Sequence, residues 1–271
     1  MDPSDLGRIY DNMARGFSTA GVNTQEIANL SRGFDLAGPL VQPLRFDQYP
    51  EPFPPAAVRL VVIPLQGHPQ LVERLALLAQ DVQAVLPKDC QSFSNPPPRY
   101  HCTVFHTSQP SDPRPDPYVE GGGANSLPPA ARPPPSDSVL ARESATMTAI
   151  AATAPAFELE VHSIVFASSG TLLLCSTDPS GTLNQIRSEL RAAFPGRPTK
   201  QAGIAHTTLL RLMTPEQLPP ECIAAIQEIC HRHTASLKGL KISVDQLWYI
   251  IEEVFSTIEG PQQDCKLQQK G

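Results

Sequence analysis

The sequence predicts an α+β fold, bilobal and internally duplicated, in which antiparallel sheets with flanking helices enclose a central cleft. Three observations carry this reading. A strand, helix, strand order ends in HCTVF (101–105) and recurs later, ending in HTTLL (206–210). Neighbouring strand-like runs read as hairpins, most plainly 157–166 with 170–177 across Ser168-Ser169-Gly170. Strands and helices also lack the steady alternation of a doubly wound parallel sheet.

Residues 1–56 read as an N-terminal extension. Leu6, Ile9, Tyr10, Met13 and Phe17 recur at helical spacing, and polar sequence then runs into QYPEPFPPAA. The segment is expected either to pack on the main domain or to stay loose, with partner docking the weaker reading. The main domain, 57–260, opens with RLVVIPL (59–65), a buried strand. A helix follows over 68–86, because Leu71, Leu75, Leu78, Val82 and Val85 share one stripe. YHCTVF (100–105) is again strand-like. Residues 107–138 hold nine prolines and three glycines without apolar periodicity, the composition of a disordered insertion. A helix is expected over 138–152. FELEVHSIVF (157–166) alternates Phe157, Leu159 and Val161 against Glu158, Glu160 and His162, the period of a half-buried strand.

GTLLLCST (170–177) is the next strand. Thr182 and Gln185 then read as a capping box opening a helix striped by Leu183, Ile186, Leu190 and Phe194. After GIAHTTLLRLM, a turn begun at Thr214 is interrupted by Pro219 and Pro220, and helix resumes over 222–233. LKISVDQLWYIIEEVFSTIE supplies one or two strands, and 261–271 is a polar tail.

Bulk composition narrows the function. Hydrophobic content of 41% with 18% charged residues fits a chain that buries a real core. A net charge of −6 argues against coating long nucleic acid, which takes many Lys and Arg against phosphates; a small or short phosphorylated ligand stays open. Six cysteines spread along 271 residues do not form a disulfide scaffold. Without a signal-peptide pattern, a cytoplasmic setting with reduced thiols is expected. No apolar run reaches membrane-spanning length, and a monomer is expected.

The chemistry concentrates in HCTV (101–104) and HTTL (206–209). On a strand, residues i and i+2 face the same way, so His101 projects with Thr103 and His206 with Thr208. If the halves pack about a pseudo-twofold axis, the two pairs line one cleft. A neutral imidazole there takes a proton from an attacking oxygen while a protonated one gives a proton to a leaving oxygen. The threonine hydroxyls donate to non-bridging phosphate oxygens, where charge collects. His106 shares parity with Cys102 and Val104 and is expected to point away. Arg99, Lys200 and Arg211 flank the motifs and suit phosphate contacts. Tyr100, Phe105, Trp248 and Tyr249 are candidates to stack a base, with one of Trp248 and Tyr249 favoured for the cleft.

Two copies of His, any residue, Thr or Ser, then an apolar residue resemble the mark of the two-histidine (2H) phosphoesterase superfamily, with its RNA-ligase-like and cyclic-nucleotide phosphodiesterase branches. The resemblance covers roughly 57–260. It implies a catalytic tetrad of His101, Thr103, His206 and Thr208 between two lobes. Substrate contacts are expected from Tyr100, Arg211, Trp248 and Tyr249. The expected activity is a metal-independent, cofactor-free phosphodiesterase acting on a 2′,3′-cyclic phosphate or a short RNA or nucleotide diester. Its partner would be a nucleotide or short RNA, not a long nucleic-acid track or a membrane. The alternative is a non-catalytic nucleotide-binding or protein-interaction module on the same fold. A metal site from Cys222, Cys230, His231 and His233 is disfavoured, because the spacing lacks a CxxC pair.

Overall fold

The computed structural model describes residues 3–38, 40–109, 117–119, 131 and 133–269. In chain order the elements begin α1 (Pro3–Ala20), α2 (Thr24–Ser31), β1 (Phe34–Asp35), β2 (Gln42–Pro43), β3 (Val58–Pro64), α3 (Pro69–Ala84), β4 (Ser92–Ser94) and β5 (His101–Ser108). They continue as α4 (Asp137–Thr153), β6 (Phe157–Ala167), β7 (Thr171–Thr177), α5 (Thr182–Ala193), β8 (Ala205–Leu212), α6 (Pro220–Leu237), β9 (Lys241–Val244), β10 (Gln246–Glu252) and β11 (Gln262–Lys266). Most of the 107–138 insertion lies outside the described residues, although Thr107 and Ser108 complete β5.

β1 and β2 pair with each other. The other strands form one antiparallel sheet in the order β11-β10-β3-β5-β8-β7-β6-β9, with β4 attached to β8. The duplication is plain in this order. β3 and β5, joined through α3, lie beside β10 and β11; β7 and β8, joined through α5, lie beside β6 and β9. The halves meet through one residue pair, Cys102 on β5 opposite Thr207 on β8. This junction separates two lobes within a single sheet.

One face of the sheet carries the main core, where Leu75, Leu78, Phe105, Ile186, Leu209 and Ile226 are fully buried. The other face is covered in two places by the N-terminal 56 residues. Phe46, with Ile258, packs over Val58, Leu60, Val62 and Trp248 on β3 and β10. α1 sets Leu6 and Tyr10 over Val165, Ala167, Leu173 and Cys175 on β6 and β7. Burying Leu6 and Phe17 contributes about 1.5–3 kcal/mol each, so the segment is a fixed part of the fold rather than a loose appendage. Between the two covers, β5 and β8 remain open.

A buried polar cluster fixes the first lobe. Glu143 on α4 accepts from Arg59 Nε and Nη2 (2.8–3.1 Å), from Thr107 Oγ1 (2.8 Å) and from the Tyr249 hydroxyl (2.7 Å), so one carboxylate ties α4 to β3, β5 and β10.

Three local expectations differ. Thr182 is the first helical residue of α5, so it cannot cap; Gly181 (φ 76°) is the N-cap and the Asp178 carboxylate accepts from Leu183 N at 2.7 Å. Pro220 starts α6 instead of interrupting it, since a first-turn proline gives up an N–H that has no helical partner. The polar tail contributes β11, paired along β10, with Cys265 facing the core.

Candidate active site

Antiparallel pairing places the motifs side by side. With Cys102 opposite Thr207, His101 lies beside Thr208 and Thr103 beside His206, and the two imidazoles occupy a diagonal for which spacing is roughly 7–8 Å. All four side chains line one cleft of about 500 Å³. Neither threonine hydroxyl makes a hydrogen bond to another described residue, so both are available to a ligand.

Both strands are bulged at the same motif position. Opposite β3, Thr103 pairs with Val62 but Phe105 pairs with Val61, leaving Val104 extra. Opposite β7, Thr208 pairs with Leu173 but Leu210 pairs with Leu172, leaving Leu209 extra. An extra residue reverses the alternation beyond it. This corrects the expectation for His106: Val104 turns it into the cleft, and Leu209 does the same for Arg211. The pseudo-twofold therefore relates His101-Thr103-His106 to His206-Thr208-Arg211.

Each bulge is held from behind by a buried polar group. Arg187 on α5, 3% exposed, donates to the carbonyls of Thr103 (3.2 Å), Val104 (3.2 Å) and Ile204 (2.9 Å). Asn95, just after β4, donates its backbone N–H to Leu209 O (2.9 Å) and its Nδ2 to Thr208 O (2.8 Å). These contacts satisfy carbonyls that the splayed β5–β8 junction leaves without ladder partners.

His101 Nδ1 donates to the Arg99 carbonyl at 2.7 Å, which fixes that tautomer and leaves Nε2 for the cleft. Burial is the main reason all three imidazoles are held down to about 4. Arg211 adds to the effect at His101 and His206, and the His101 charge adds to it at His106 and His206. The backbone contacts oppose this: the Arg99 carbonyl favours the His101 cation, and the Ile204 carbonyl acts more weakly on His206, whose Nδ1 falls short of a hydrogen bond. Arg187 also disfavours charge on His206.

Arg211 donates from Nη2 to Ser256 Oγ at 2.6 Å, while its buried Nε has no partner among the described residues. Burial lowers it to about 10, so it stays cationic at neutral pH. Glu252 lines the cleft with burial pushing it up to about 7, against the pull of backbone amides that include Ile258 N at 2.9 Å. That contact requires a tight turn after β10, with Ser256 (φ 58°) and Ile258 (φ 59°) in left-handed conformations. Gly260 closes the turn at φ 140°, where a Cβ would collide with the Ile251 carbonyl.

The sequence-predicted aromatic contacts are not brought to the cleft. Tyr100 and Tyr249 face the main core, and Tyr249 bonds Glu143. Trp248 shares the motif's face but is covered by Phe46 and Ile258. Phe105 is fully buried, and Arg99 reaches the Ile258 carbonyl at 3.5 Å. Lys200 does line the cleft. Phe255, Ser256, Glu252 and Gln201 line it without having been singled out in the sequence. Glu252 is placed there by the end of β10, and Gly260 is the one signal of the turn that brings Phe255 and Ser256.

Residues 129–253 match the family described as the 2′-5′ RNA ligase superfamily. That match, over a little under half of the chain, agrees with the resemblance of the two H-x-T-apolar motifs to the two-histidine (2H) phosphoesterase superfamily. The matched stretch contains HTTL; HCTV stands in the other half of the duplication. Among solved structures, the chain is similar to ATU0111 of Agrobacterium tumefaciens strain C58, a conserved protein of unknown function. The identity is 17%, 77% of this chain and 84% of that one are covered, and the TM-score is 0.53. TT0787 of Thermus thermophilus is 13% identical over 79% of this chain and 100% of its own, with a TM-score of 0.49. Usb1 of Kluyveromyces marxianus is 10% identical over 79% and 99%, with a TM-score of 0.45. No curated protein matches the chain significantly in sequence.

Among the described residues, no three His, Cys, Asp or Glu side chains are grouped to hold a metal ion. Cys222 and Cys230 are buried in the core, while His233 contacts Asp81 at 2.9 Å. No helix among them is long and apolar enough to cross a membrane.

Proposed function

We propose that the protein is a metal-independent phosphodiesterase acting on a 2′,3′-cyclic phosphate or a short nucleotide diester, with His101 as general acid and His206 as general base. The observation that carries this reading is the diagonal pair of imidazoles flanked by two unpartnered threonine hydroxyls in one cleft. A water or ribose hydroxyl forms the new P–O bond and passes its proton to His206. The bond to the leaving oxygen breaks as that oxygen takes a proton from His101, and proton exchange with solvent restores both rings. Arg211 disfavours charge on both rings; what distinguishes them is the Arg99 carbonyl, which accepts from His101 Nδ1 and supports that cation, against His101 and Arg187, which add to the neutrality of His206. Thr103, Thr208 and the Arg211 guanidinium donate to the non-bridging oxygens. Retention of both histidines and both threonines favours turnover over a binding-only module.

Purified protein incubated in chelator with cyclic mononucleotides and short RNAs is expected to release 2′- or 3′-phosphate products. Ligand binding without product would sink the enzymatic reading and leave the binding module.

A pH dependence follows. Because free imidazoles held near 4 are almost wholly neutral at pH 7, the acid is scarce until an anionic phosphate raises it. The value of kcat/KM is expected to fall about tenfold per pH unit above roughly pH 5, while kcat persists to higher pH. Profiles of both from pH 4 to 9 test this; a flat kcat/KM between 5 and 8 would show that no depressed imidazole supplies the proton.

A further inference from the structure

The pseudo-twofold gives the cleft a third residue on each strand, and these two differ. Beyond Thr208 stands Arg211, a cation with a free buried N–H. Beyond Thr103 stands His106, whose Nδ1 is buried without a partner and whose cross-strand neighbour is Leu60. The wall around His106 is preformed. Gln201 accepts from His106 N and donates to its carbonyl, both at 2.9 Å, and also donates to Pro198 O at 3.0 Å, which fastens the turn before β8 to β5. Two residues on, Gly203 lines the cleft, and a Cβ there would meet nothing within 4 Å. The His106 side thus combines an unpaired imidazole nitrogen, the apolar flank of Val58 and Leu60, and open space beside a backbone fixed without ligand.

These features, with the exposed Lys200 beside Gln201 on the same wall, suit a flat group carrying a few hydrogen-bonding atoms. A cyclic mononucleotide places its nucleoside on one side of phosphorus, because both ester oxygens belong to one ribose. A linear diester places a nucleoside on each side. The cleft volume of about 500 Å³ lies within the roughly 300–1,000 Å³ of sites that enclose drug-sized ligands.

We propose that this cleft is built for a linear phosphodiester, with the second nucleoside lodged between His106 and the 201–203 turn. The inference rests on the phosphodiesterase reading above and selects among its substrates. His106 is then a specificity-determining residue, with no part in the proton transfers.

The test compares 2′-5′- and 3′-5′-linked diadenosine monophosphates with adenosine 2′,3′-cyclic phosphate, using wild type, His106→Ala and Gly203→Leu. Gly203→Leu fills space that is open, so it is expected to fold. The wild-type kcat/KM for the better dinucleoside should exceed that for the cyclic nucleotide by at least about tenfold. Each variant should lose at least about tenfold more on the dinucleoside than on the cyclic nucleotide, chiefly through KM. Equal or better use of the cyclic nucleotide, or equal losses on both, overturns the inference. If wild type turns over neither, the phosphodiesterase reading fails and calorimetric binding of the same probes decides the subsite. Tighter dinucleoside binding that His106→Ala abolishes upholds it, and indifference to the variant refutes it.

Discussion

Replacing His101 or His206 by alanine is expected to lower turnover by about 10²–10⁴, the usual worth of a positioned proton donor or acceptor. The two losses should not add. Removing either ring breaks the same concerted transfer, so the double variant should lie close to the worse single one. The assignment of roles makes a sharper demand. A nucleoside p-nitrophenyl phosphodiester expels a weakly basic oxygen that leaves without a proton. It should restore most of the activity of His101→Ala, which lacks the acid, and little of that of His206→Ala, which lacks the base. Rescue of the opposite variant would reverse the assignment, and rescue of neither would mean that neither histidine is the general acid. Measurements belong between about pH 4 and 5, close to the values of the unbound pair, where its productive single proton is most often held.

Glu143→Gln is expected to be the most damaging conservative change for stability. The Arg59 side chain is 3% exposed and that of Glu143 fully enclosed, so the amide would leave a buried guanidinium without its counter-charge. Breaking one side of such a pair costs about 3–5 kcal/mol. For a chain of this size that corresponds to a fall in Tm of roughly 6–20 °C. With the amide oxygen kept toward Arg59, an NH2 faces Thr107 and Tyr249 in place of the oxygen they share, and because Thr107 follows His106, loosening should reach the cleft wall. Denaturant melts of Glu143→Gln and of the double variant Arg59→Met, Glu143→Leu separate the charge effect from packing. The double variant is expected to recover part of the loss, since apolar groups of similar volume often replace a buried ion pair at little net cost. A loss below about 1 kcal/mol in Glu143→Gln would mean that water reaches the pair.

Much of the scaffold is legible along the chain because its information is local. Stripes such as Leu71, Leu75, Leu78 and Val82 specify a helix and the face it buries, and the alternation through 157–161 specifies β6. The two H-x-T-apolar runs placed His101, Thr103, His206 and Thr208 on strands of a duplicated unit. The aromatic candidates went astray for an equally definite reason. Tyr100, Trp248 and Tyr249 are as apolar as the residues that fill a core, and which face meets the cleft depends on distant covering segments such as Phe46.

From residue order alone came the duplicated α+β plan and the paired motifs, because periodicity of 2 or 3.6 needs only neighbours a few positions away. Tertiary structure alone decided the rest of the site. One extra residue at Val104 and another at Leu209, visible only in pairing with β3 and β7, turn His106 and Arg211 inward. The walls are completed by Phe46, by the 200–203 turn and by the turn that Gly260 closes, none of which either motif specifies. A bulge is a property of two strands together, so no single strand's sequence announces it.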